Sequence, residues 1–104
     1  KLKRYSDASS YYKSVIKLGE SNIQIWNDFL DCLIVLYRFN QAKEIVSNAL
    51  QVYPNCSEII FRLAIIELKL GNIELSKEHL LSIDTTALNK LFKNNLYSDL
   101  RNIF

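Results

Sequence analysis

A chain of 104 residues with a formal net charge of +2 and 49% hydrophobic residues has the size of one domain, burying roughly two thirds of the surface its unfolded form exposes. The hydrophobic content excludes a disordered chain, and the scattered Lys and Arg exclude the concentrated field that draws a polyanion. Two glycines and one proline exclude most strand-and-turn architectures, which need turn residues at short intervals.

From Tyr5 to Leu18 the spacing predicts a helix, with Tyr5, Ala8, Tyr11, Tyr12, Val15, Ile16 and Leu18 at three- and four-residue steps and Gly19 as the stop. The basic start, Lys1, Lys3 and Arg4, reads as a solvated helix end. A second helix, capped by Ser21 or Asn22, runs through Trp26, Phe29, Leu30, Leu33 and Leu36 to about Tyr37. Arg38, Phe39 and Asn40 turn the chain into a third helix, about Gln41 to Tyr53, with Ala42, Ile45, Val46, Ala49 and Leu50 on one face and Pro54 as its end. Ser57 is expected to cap a fourth helix running to about Leu70, with Gly71 and Asn72 as the turn. A fifth follows from Ile73 to Ser82, with Leu75, His79, Leu80 and Ile83 near its inner face. Thr85 or Thr86 is expected to cap a short helix from Ala87 to Lys93. Asn94 and Asn95 then break it before a last segment, Leu96 to Phe104.

The helices recur in register. Ala8 returns as Ala42 and Ser76, Tyr5 as Phe39 and Ile73, Tyr12 as Val46 and Leu80, and Val15 as Ala49 and Ile83, each thirty-four residues apart. Trp26 likewise returns as Ile60, Phe29 as Leu63, Leu30 as Ala64 and Tyr37 as Gly71. A repeat of this length marks stacked helix pairs, whose usual work is to present a binding surface. Two antiparallel helices approach closely only where a side chain is small, and Ala8, Ala42 and Ser76 occupy that place.

These residues resemble the tetratricopeptide repeat family. Trp26, Phe29, Leu30, Ala42, Ala49 and Pro54 match its series at the family's spacing, with Leu30 where a small residue is usual. Ile60, Leu63, Ala64, Gly71, Ser76 and Ile83 match more loosely in the next unit, without the closing proline. The resemblance covers about residues 5 to 84 and implies an all-α, right-handed solenoid of antiparallel helix pairs. Within a single domain it implies four parts: residues 1–20 as the second helix of a truncated repeat, 23–56 and 57–84 as repeats, and 85–104 as a C-terminal cap.

In the family the first helix of each pair lines a concave groove that holds a peptide. Carried onto this chain, the groove positions are Gln24, Asn27, Asp31 and Ile34, then Glu58, Phe61, Ile65 and Leu68. Asp31 and Ile65 stand where a clamp for a peptide's terminal carboxylate would need donors, which argues against that clamp. The implied function is a non-catalytic scaffold binding a protein or peptide. The opening of the unit, Trp26 with Phe29 and Asp31, is also similar to the HAT variant of RNA-processing assemblies, and a structural end segment of a longer solenoid is a third reading. Direct RNA binding would need more basic groove positions than these.

The helix from Ser57 to Leu70 is apolar nearly all round. Either neighbours cover it, the tail cap foremost, or it offers Phe61 and Ile65 to a peptide or to a second copy of the chain as a homodimer. No cofactor, metal or catalytic set is expected. His79 is the one histidine and has no nucleophile at readable spacing, Cys32 and Cys56 do not stand at ligand spacing from it, and neither cysteine belongs to a disulfide framework. The longest nearly apolar stretch, Ile59 to Ile66, is interrupted by Arg62 and falls far short of the roughly twenty residues of a membrane span. With no secretory signal, the cytoplasm is the default compartment.

Overall fold

Every regular element among the described residues is helical. The computed structural model describes residues 2–19 and 22–93. Among these run α1 (Leu2–Lys17), α2 (Ile23–Val35), α3 (Phe39–Val52), α4 (Ser57–Lys69), α5 (Ile73–Leu81) and α6 (Thr85–Phe92), with no strand. The all-α expectation holds. The chain divides into two compact units, residues 1–54 and 55–104, with the division beside Pro54 and close to the repeat junction expected between residues 56 and 57.

In the first unit α2 is the central helix, packed against both α1 and α3. Its apolar residues surround the axis, and Trp26, Phe29, Leu30 and Leu33 are buried, each contributing about 1.5–3 kcal/mol by leaving water. Tyr12 of α1 lies near Asp28 of α2, which accepts from Gln24 Nε2 at 2.8 Å. In the second unit α4 is central, packed against α5 and α6. Ile59, Phe61, Ala64, Ile65 and Ile66 are all buried, which answers why that helix has no polar face.

The hairpins α2–α3 and α4–α5 share one backbone design at the thirty-four-residue offset. Both α2 and α4 stop in the same way. Leu36 N–H donates to Cys32 O at 3.0 Å, Tyr37 N–H to Ile34 O at 3.1 Å, and Arg38 N–H to Leu33 O at 2.9 Å. In the second hairpin Leu70 N–H donates to Ile66 O at 3.0 Å, Gly71 N–H to Leu68 O at 3.0 Å, and Asn72 N–H to Glu67 O at 2.8 Å. The bond from Arg38 to Leu33, like that from Asn72 to Glu67, reaches back five residues and closes a Schellman-type end, which needs one left-handed residue. Gly71 meets that need with φ +89°, and Tyr37 with φ +59°. Tyr37 is the one non-glycine residue with positive φ among the described residues.

Of the three small residues of the repeat, Ala8 is half-buried and the other two are fully enclosed. Ala42 and Ser76 have no exposed surface at all. Ser76 Oγ–H donates to the Ala64 carbonyl oxygen across α4 and α5 at 2.7 Å, so the second crossing carries a bond that Ala42 cannot make.

Three expected helix starts are corrected. The third helix begins at Phe39 rather than Gln41, because the backbone bonds that close α2 deliver the chain straight into α3, and Arg38 O accepts from Ala42 N–H at 2.9 Å. Ser57 is the first residue of α4, and its N-cap is Cys56, whose side chain makes no capping bond. Asp84, not Thr85 or Thr86, caps α6, its Oδ2 accepting from Thr86 N–H at 3.1 Å and Ala87 N–H at 3.3 Å. A carboxylate outranks threonine there because it also meets the positive end of the helix dipole. The expected α2 cap is found, since Asn22 Oδ1 accepts from Ile25 N–H at 3.1 Å, whereas Ser21, the break at Asn94 and Asn95, and the segment Leu96 to Phe104 lie outside the described residues.

Candidate interaction surface

The groove residues expected on α2 fall on one face at three- to four-residue steps, but they differ in access. Gln24 is exposed and Asp31 half-buried, whereas Asn27 and Ile34 are buried with 1% and 6% of their surface exposed. On α4, Glu58 is exposed and Leu68 half-buried, whereas Phe61 and Ile65 retain 1% and 2%. The expectation that Asn27, Ile34, Phe61 and Ile65 face outward is therefore corrected. For Phe61 the cover is identified: its ring meets Phe92 of α6 edge to face, with centroids 5.6 Å apart and planes at 78°. That contact orients the aromatic quadrupoles favourably and sets α6 against the apolar helix α4.

His79 belongs to a bracing cluster inside the second hairpin. Glu67 is buried and its Oε1 accepts from Asn72 Nδ2 at 3.0 Å, while Oε2 lies 4.0 Å from His79 Nε2. A carboxylate taken out of water costs several kcal/mol unless paired. The turn residue Asn72 supplies a hydrogen bond to it, and the α5 residue His79 lies beside it, so the end of α4 meets its partner helix there. Arg62, also buried, donates from Nη1 to Glu58 O one turn back at 3.1 Å.

The two cysteines are free thiols. Cys32 is buried, and that burial, followed by the nearby Asp31 and Asp28 carboxylates, pushes its thiol pKa up. Such a thiol is a poor nucleophile and metal ligand, because both tasks need the thiolate. Burial first, then Asp28, likewise raises Tyr12. No group of three metal-ligating side chains occurs among the described residues, and no helix there is long and apolar enough to cross a membrane.

Two surface features escaped the sequence reading. A cleft in the first unit is lined by Lys13 of α1 and by Gln41, Glu44, Ile45 and Asn48 of α3. At the tip of the first hairpin Tyr37 is 77% exposed and stacks on Phe39, with centroids 5.6 Å apart and planes at 25°. The signal for the tip was present in the repeat alignment, which sets a tyrosine opposite Gly71. No family model matches the chain, and no curated protein or solved structure matches it either.

Proposed function

We propose that the chain is a non-catalytic protein-interaction module of the tetratricopeptide repeat type, working as a scaffold in the cytoplasm and holding a peptide or protein segment on its helix faces. The observation that carries this reading is the recurrence of one helical hairpin, with the same terminal hydrogen bonds, at a thirty-four-residue offset. Supporting it, the titratable groups that sequence singled out have structural surroundings: His79 lies 4.0 Å from the buried Glu67, and Cys32 is buried as a thiol. Two unbridged cysteines suit a reducing compartment.

On this reading the groove positions that keep accessible surface are Gln24 and Asp31 on α2, and Glu58 and Leu68 on α4. Three carry carboxylate or amide groups, so a partner of complementary chemistry presents Lys, Arg or hydrogen-bond donors. The test is affinity capture with the double substitution Asp31→Lys and Glu58→Lys, after circular dichroism has established native helix content. Loss of partners recovered by the unsubstituted chain supports the reading. Identical recovery from the folded variant removes these faces from the site.

The structural-end reading is favoured by a different observation, the edge-to-face cover of Phe61 by Phe92. Under it α6 seals the apolar side of α4 and the chain presents no ligand there. Phe92→Ala would then expose Phe61, and light scattering should register self-association that the unsubstituted chain lacks.

A further inference from the structure

The tip of the first hairpin carries a strain that its fold does not need. A left-handed conformation costs a non-glycine residue roughly 1–2 kcal/mol, and Tyr37 adopts it at φ +59°. Thirty-four residues later the same turn, with the same three closing hydrogen bonds, is made by Gly71 at φ +89°. Glycine therefore suffices for the turn. Burial does not repay the tyrosine either, since 77% of its surface remains in water.

What the tyrosine adds is a platform. Its ring lies nearly parallel to that of Phe39, and Phe39 is half-buried at the start of α3, so an anchored ring steadies an exposed one. The second hairpin has Ile73 at that place and no such pair. Arg38 stands between the two rings in sequence, is exposed, and has no ion pair among the described residues. An exposed aromatic face with an exposed arginine next to it in sequence is the composition of an interaction hot spot.

We infer that the Tyr37–Phe39 tip is a docking point for an extended peptide that presents a proline ring next to an acidic side chain. Proline fits because its ring packs flat on an aromatic face, it has no N–H to strip of water, and its extended conformation is preformed. The acidic neighbour fits because Arg38 offers a planar, charged fork to a carboxylate. A nucleobase would also stack, but phosphate recognition needs a basic stripe, and the whole chain has a net charge of only +2. This site stands whether or not the faces of α2 and α4 bind a partner.

The test is a titration of the isotope-labelled full chain, followed by nuclear magnetic resonance, with a blocked peptide of three prolines flanked by glutamates. A lysine-flanked control and a short oligouridylate are titrated in parallel. Saturable shifts centred on Tyr37 to Asn40 are expected with the glutamate peptide, with the control at least about tenfold weaker because its charge opposes Arg38. Tyr37→Gly should raise the melting temperature and abolish those shifts, while Tyr37→Phe keeps them, a split that a purely structural residue would not produce. The inference is overturned if millimolar glutamate peptide leaves Tyr37 to Asn40 unmoved, if the shifts survive in Tyr37→Gly, or if oligouridylate is bound in preference.

Discussion

Ser76 shows what a single small side chain contributes at a helix crossing. Its hydroxyl is fully buried and bonded to the Ala64 carbonyl, so Ser76→Ala removes one bond and leaves that carbonyl without it, for an expected loss of about 1–2 kcal/mol in urea denaturation. Cys32 carries a pH dependence of definite sign. Its pKa is raised in the folded state, so between the unfolded and folded values the native chain holds more protons, and stability falls as pH rises through that window. The contribution is whole below the ordinary thiol range, about 8.5, and is lost above it; Tyr12 acts in the same sense at higher pH. Urea midpoints measured from pH 7 to 10 should decline, and less so in Cys32→Ala. Iodoacetamide at neutral pH should label Cys56 well before Cys32, as mass spectrometry of the digested protein would register; equal labelling would contradict the burial of Cys32.

At the scale of elements, the helices were legible because apolar spacing and small residues leave a pattern that packing obeys. Their first residues were less so. Whether Ser57 or Cys56 caps α4, and whether Thr85 or Asp84 caps α6, depends on the path by which the chain enters the helix, and a list of good capping residues does not contain that path. The uncapped start of α4 makes a prediction: Cys56→Asn should supply the bond that Asn22 supplies to α2 and raise stability by about 0.5–1 kcal/mol. Among groove residues the face was legible but its exposure was not. Spacing set Phe61 and Ile65 on the face expected to receive a partner. The covering helix α6 lies at a different position along the chain, and only the Phe61–Phe92 contact reveals what that face meets. The strained tip was hidden for another reason, since a tyrosine in a left-handed turn contradicts propensity and shows only when aligned with Gly71.

For the whole molecule, each of the two compact units contains one copy of the same hairpin, and the nearly balanced charge leaves packing rather than field to set its behaviour. Nucleic-acid affinity should therefore be weak at physiological salt, in keeping with a protein or peptide as partner. The proposed repeat rests on a small, fully buried residue in each hairpin, Ala42 and Ser76. The direct measurement is the urea-unfolding free energy of Ala42→Leu beside that of Ser47→Leu, an exposed site on the same helix. Nested hairpins predict a loss of about 1–3 kcal/mol at Ala42 and a change within about 0.5 kcal/mol at Ser47. Equal stability of the two variants would contradict the crossing, and with it the repeat.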